Sequence, residues 1–163
     1  METYYNANHA FNSLRADIID KGIPFANTKA LFNVGFYLQN PLDNKITNKE
    51  RNWKEEYAEA EWQWYLSGDR NIEKLGKIYG KIPPIWERMA DHNGNVNSNY
   101  GWQWLRNDQY EYIIDKLKFE NDTRHAAISI YDCKENLDYE NDTPCTYAVQ
   151  FTIINDKLCM SVY

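Results

Sequence analysis

No run of apolar residues in this chain approaches the ~20 that a membrane-spanning helix requires, so neither a membrane span nor a membrane partner is expected. The opening METYYNANHA has neither a basic stretch nor an apolar core, and no secretory signal is expected from it. Cysteine is sparse: Cys133, Cys145 and Cys159 are the three in 163 residues, an odd number with no Cys-x-x-Cys spacing. That pattern argues against a disulfide framework and for free thiols in a reducing, cytoplasmic setting. A zinc site would need Cys133, Cys145 and His125 to converge without any recognised ligand spacing, so no metal is expected. Clustered cations are also lacking. With a net charge of -6 the chain does not offer the basic surface that neutralises a nucleic-acid backbone. A small anion needs only one or two cations and stays open. The two Asn-Asp-Thr sequons, at Asn121 and Asn141, read as coincidence in an Asn-rich cytoplasmic chain.

What is present is a well-provisioned core. The hydrophobic fraction is 43% and the aromatic fraction 15%, with six Trp and thirteen Tyr, which excludes a disordered chain. A mean hydropathy of -0.77 with 26% charged residues describes a soluble protein. The length suits one domain spanning residues 1–163, without internal repeats or low-complexity stretches.

Phe11, Leu14 and Ile18 fall at helical spacing across residues 6–20, and Gly22 follows as a stop. Residues 30–39 switch to period two, with Phe32, Val34, Phe36 and Leu38 on one face of an expected strand. Thr47-Asn48-Lys49-Glu50 has the form of a capping box opening a long helix over residues 47–67, stopped by Gly68. Its aromatic face carries Trp53, Tyr57 and Trp64, and Glu61 falls on that face. Glu61 reads either as a rim carboxylate that snorkels to water or as one held in a pocket for proton handling.

Ile72, Leu75 and Tyr79 give a short helix before Gly80, and Pro84 opens another with Ile85, Trp86 and Met89 inward. A polar loop over residues 91–99 leads into the aromatic cluster Tyr100-Gly101-Trp102-Gln103-Trp104, whose plain reading is core packing. Asn107 is expected to cap a helix bearing Tyr110, Ile113, Ile114 and Leu117. Arg124 stands at the entrance of a strand over residues 126–131, as a solvated charge or as a fork for a phosphate. A half-polar strand follows Cys145, with Tyr147, Val149, Phe151 and Ile153 alternating against Ala148, Gln150 and Thr152. Asn155-Asp156 turns it into a returning strand. Within DTPCTYAVQF, Cys145 is either a small core thiol or a nucleophile at a strand mouth.

Several ordered motifs resemble the thymidylate synthase superfamily, and more closely its phage deoxycytidylate hydroxymethylase branch. Glu61-Trp62-Gln63-Trp64-Tyr65-Leu66-Ser67-Gly68 is similar to the family's Glu-x-x-Trp-Phe-Leu-x-Gly helix, and Ile85-Trp86 to its Ile-Trp segment. Asn97-Ser98-Asn99-Tyr100-Gly101-Trp102 is similar to the hydroxymethylase sequence, Asp122-Thr123-Arg124 to an Asp-Ser-Arg strand entrance, and Pro144-Cys145 with Gln150-Phe151 to the nucleophile strand. The resemblance implies an α+β fold in which a mixed sheet packs against the 47–67 helix, and a homodimer.

It also implies chemistry. Cys145 would add to C6 of a pyrimidine deoxynucleoside monophosphate, and the activated C5 would attack the one-carbon unit of 5,10-methylenetetrahydrofolate. Glu61 and Tyr100 would belong to the proton-handling network. Arg124, Gln150 and, as a candidate cation, Lys29 would bind nucleotide; Trp86 and Ile85 would contact folate. Thr146, where synthases usually have His, implies hydroxymethylation of dCMP, with dUMP methylation as the alternative. His125 replaces a second Arg, and Met89 a Trp. The family's Arg-Ser-x-Asp segment and later base-reading residue have no counterpart here, so the chain is expected to match the N-terminal two-thirds of the family. A truncated, non-catalytic interaction module or half of a split enzyme is the competing expectation.

Overall fold

The computed structural model describes residues 1–163 and divides into two compact units, Met1–Ala58 and Glu59–Tyr163. In the first unit, strand β1 (Glu2–Tyr4) leads to Asn6, whose side chain accepts the His9 backbone N–H at 2.8 Å and so caps helix α1 (Ala7–Lys21). Gly22 ends that helix, its N–H donating to the Ile18 carbonyl at 3.0 Å. The hairpin β2 (Ile23–Phe25) and β3 (Thr28–Ala30) is antiparallel, and β4 (Phe36–Leu38) pairs in parallel with β1. Tyr4 is buried beneath Phe36 and His9. Its hydrogen bond to the Glu2 carboxylate, then burial, pushes its hydroxyl up to about 12.

The continuous strand expected over residues 30–39 does not form. Asn33 adopts a left-handed backbone (φ 57°), which breaks the period-two run and leaves Phe32 and Val34 exposed. The capping box also fails. Asn48, not Thr47, accepts a helix-type bond, from Glu50 N–H at 2.9 Å, and it caps only a 3-10 turn over Lys49–Arg51. Thr47 N–H is taken by the Asn8 side chain, and Asn52 turns left-handed at φ 49°, so helix α2 begins at Glu55 (Glu55–Leu66). Trp53 precedes that helix.

In the second unit, Gly68 (φ 64°) ends α2 and Gly80 (φ 85°) ends α3 (Ile72–Tyr79). Pro84 opens α4 (Pro84–Met89) as expected, although Ile85 is exposed rather than inward. The aromatic cluster is itself a helix, α5 (Tyr100–Leu105), because the Asn99 side chain caps it by accepting Trp102 N–H at 2.8 Å. Asn107 does not cap the next helix. Asn107 and Asp108 are both left-handed, and α6 (Gln109–Phe119) starts after them without a side-chain cap. Strands β5 (Ala127–Ser129), β6 (Ala148–Ile154) and β7 (Lys157–Val162) form an antiparallel sheet in that order. Asn155 and Asp156, at φ 50° and 59°, make the β6–β7 turn as expected.

The fold is α+β, with its strands shared among three small sheets. The helices packed directly on the three-stranded sheet are α5 and α6 rather than α2. Ile113, Ala126, Ile128, Ile130, Val149 and Phe151 form its core, flanked by Tyr100, Trp104 and Leu117. Each fully buried aliphatic side chain there stabilises the unit by about 1.5–3 kcal/mol.

Candidate active site

Alternation along β6 puts Val149 and Phe151 on the helix side of the sheet. On that side, α2, α5 and the sheet enclose an open cavity of about 590 Å³. Trp62, Tyr65 and Leu66 line it from α2, Tyr100 and Trp104 from α5, and Thr146, Val149, Met160 and Val162 from the segment before β6 and the sheet. The helix expected to pack on the sheet thus faces it across this space. Close approach of α5 to α2 is what Gly101 permits: a Cβ there would sit 1.7 Å from the Tyr65 carbonyl oxygen.

Cys145 is exposed and adjoins this arrangement without itself lining the cavity. Its backbone N–H donates to the Tyr100 hydroxyl at 3.0 Å, and its neighbour Thr146 lines the cavity. Tyr100 is half-buried and meets Tyr65 edge-on, with centroids 6.2 Å apart. Glu61 is half-buried on α2, one helical turn before Tyr65. Tyr100, Thr146 and the helix that carries Glu61 thus line one largely apolar space, and Cys145 adjoins it through its bond to Tyr100 and its neighbour Thr146.

The other expected site residues lie elsewhere. Gln150 projects from the face of β6 opposite Val149 and Phe151 and is half-buried. Arg124 and His125 are exposed in the turn before β5. Trp86 packs edge-on against buried Trp64 at 5.4 Å, whereas Ile85 points to solvent. Lys29 belongs to the N-terminal unit, where its ammonium donates to the Ile19 carbonyl at 2.7 Å near the end of α1. No group of three or more His, Cys, Asp or Glu side chains is placed to hold a metal ion, and no helix is long and apolar enough to cross a membrane.

Sequence reasoning missed the polar frame beneath Cys145. Buried Asp142 accepts Ser98 N–H at 2.6 Å and Ser98 Oγ–H at 3.0 Å through its two carboxylate oxygens. Its carbonyl accepts from Asn97 Nδ2 at 2.9 Å, and buried Gln103 donates to the Asn97 carbonyl at 2.6 Å. Tyr131 Oη adds a donor to the Pro144 carbonyl at 3.1 Å. The signal was a cluster of hydrogen-bonding residues, Asn97-Ser98-Asn99, and an acid three residues before the cysteine; their partnership spans residues 97 to 142 and no local spacing reveals it.

A second, polar cavity of about 340 Å³ is lined by Arg70, Asp91, His92, Asn97, Trp102 and four residues of the segment 135–140. Arg70 lies over the Trp102 ring at 4.4 Å. Partial burial works to raise the Asp91 carboxyl, yet backbone N–H groups of Asn95 and Asn93, helped by His92 and Arg70, hold it below the ordinary aspartate value.

The family model described as thymidylate synthase matches residues 10–163. The chain belongs to the thymidylate synthase family. It is 38% identical to a thymidylate synthase of Wigglesworthia glossinidia brevipalpis over 108 residues, 61% of this chain and 39% of that protein. It is 31% identical to the deoxycytidylate 5-hydroxymethyltransferase of Enterobacteria phage T4 over 111 residues, 64% of this chain and 44% of that protein. The crystal structure of thymidylate synthase from T4 phage aligns with a TM-score of 0.55 at 27% identity, covering 66% of this chain and 43% of that one. The chain thus spans about two fifths of the length of the relatives it matches. Both branches of the expected resemblance are represented among them.

Proposed function

We propose that this chain carries the nucleophile region of a pyrimidine deoxynucleotide one-carbon transferase that hydroxymethylates C5 of dCMP. The observation that carries the reading is the bond from Cys145 N–H to Tyr100 Oη beside the cavity, which leaves the thiol exposed and Thr146 facing inward. The Cys145 thiolate adds to C6 of the base, the C5=C6 π pair moves to C5, and C5 attacks the methylene carbon of 5,10-methylenetetrahydrofolate as its bond to N10 breaks and that nitrogen takes a proton. Departure of tetrahydrofolate and loss of the C5 proton leave an exocyclic methylene. Water adds to that carbon, and expulsion of the thiolate restores the ring. Glu61 and Tyr100 handle protons. Arg124, from the partner of a homodimer, and Gln150 and Lys29 bind nucleotide; Trp86 and Ile85 contact folate. Residues 1–163 act as one catalytic-domain segment in a cytoplasmic enzyme, consistent with a family match that crosses both compact units.

Thr146 distinguishes dCMP hydroxymethylation from dUMP methylation in this proposal. A hydroxyl on the cavity wall is compatible with water at the reacting carbon. Tritium release from C5-labelled dCMP and dUMP, with and without the folate, is the test. Release from dCMP that requires Cys145 supports the reading, and release from dUMP alone overturns the hydroxymethylase assignment.

A second reading, an interaction module or split enzyme completed by further polypeptide, is favoured by one observation. The cavity is open and apolar, with Trp62, Leu66, Met160 and Val162 each more than half exposed, and exposed apolar surface of that extent commonly marks an interaction site. No release from either nucleotide, with Cys145→Ser indistinguishable from the parent, would favour it.

A further inference from the structure

Cys145 hangs on a short irregular segment rather than inside a strand, since β6 begins only at Ala148. A nucleophile so placed needs its backbone fixed by something other than a sheet ladder, because misplacement of a reacting atom costs rate steeply. Three of the bonds that fix this segment meet at Asp142. It is only 8% exposed, and both of its carboxylate oxygens are spent on Ser98. Ser98 immediately precedes Asn99, the cap of α5, and Tyr100, whose hydroxyl accepts the Cys145 N–H. Asp142 and Cys145 are thus tied at both ends of their tetrapeptide to the same three-residue stretch, 98–100. Between them Pro144 is fully buried and restricts φ.

We propose that Asp142 is a positioning residue for Cys145: its carboxylate, held by Ser98, latches the cysteine segment onto the start of α5 and sets where the thiol stands at the cavity rim. The role of the latch in turnover rests on Cys145 being the nucleophile; the latch itself does not. Charge-assisted bonds to a buried carboxylate are the strong members of this set. Pro144 and the Tyr131 bond restrain the segment from the other side, so the latch tunes position rather than holding the fold together.

The test uses the full chain, with amide hydrogen exchange resolved to the Cys145 amide and, in parallel, C5-tritium release. Asp142→Ala should speed exchange at Cys145 by about tenfold or more, the loss expected for a charge-assisted bond, while α3 and β6 exchange as in the parent. Asp142→Asn keeps a carbonyl oxygen for Ser98 and should restore most of the protection. Ser98→Ala, the gentler variant if Asp142→Ala fails to fold, should give a smaller local rise. In turnover, kcat should fall with the nucleotide KM unchanged, because no proposed nucleotide contact is altered. Unchanged Cys145 exchange in the folded variants overturns the latch, as does a uniform rise across α3 and β6. A local rise with kcat unchanged in an active parent overturns the positioning role. Absence of turnover in the parent counts against the functional reading instead, and exchange alone then decides the latch.

Discussion

Gly101 is the residue whose side-chain absence most constrains this fold, since any Cβ would overlap the Tyr65 carbonyl of the neighbouring helix. Gly101→Ala should therefore destabilise the second unit by about 3 kcal/mol, at the upper end of overpacking effects, seen as a lowered denaturant midpoint at unchanged slope. Asp91 makes a different kind of residue-level prediction. Its carboxyl is held below the ordinary value by the bonds from Asn93 and Asn95, so the unfolded chain binds its proton more readily. The stability it contributes is present above the unfolded value and is lost as pH falls through the lower folded one. Asp91→Asn should flatten that acid limb of the stability–pH curve and leave the neutral region less affected; an unchanged acid limb would remove Asp91 from the account. Which residues come together was only half legible at this scale. Tyr100 and Cys145 could be named by resemblance, but the Asp142–Ser98 partnership joins residues far apart in the chain and leaves no periodic trace.

Elements were legible where one local rule decided them. Asn155-Asp156 is a hairpin turn because both positions tolerate positive φ, and the structure has them at 50° and 59°. Asn155→Val should cost about 1–2 kcal/mol, the penalty for a left-handed residue without a short polar side chain, measurable as a reduced thermal midpoint. Helices α3 and α4 likewise followed from Gly80 and Pro84. Where two rules competed, reading failed. Thr47 and Glu50 satisfied the capping-box spacing, but Asn8 took the Thr47 N–H and Asn52 turned left-handed, postponing α2 to Glu55. Residues 32–38 alternated with Phe32, Val34, Phe36 and Leu38 on one face, yet Asn33 adopted positive φ and the pairing partner β1 offered only a three-residue ladder. The aromatic cluster hid a helix because its cap, Asn99, sits inside a run of polar loop-forming residues.

For the whole molecule, the α+β class and the family were accessible from motif order, whereas the cavity was not: it depends on how α2, α5 and β5–β7 are disposed, and no spacing encodes that. An open apolar space of about 590 Å³ in a folded chain should bind a hydrophobic reporter dye under native conditions. Leu66→Asp, at an exposed wall position, should weaken dye fluorescence while leaving the unfolding midpoint within about 0.5 kcal/mol of the parent. The thiol of Cys145 is open to a more direct measurement. Incubation with dCMP and 5,10-methylenetetrahydrofolate, a denaturing quench, and peptide mass mapping would read it directly. A nucleotide-mass adduct is expected on the peptide containing Cys145, with Cys133 and Cys159 unmodified. An adduct on either of those cysteines instead, or none on Cys145 under conditions that support tritium release, would contradict that expectation.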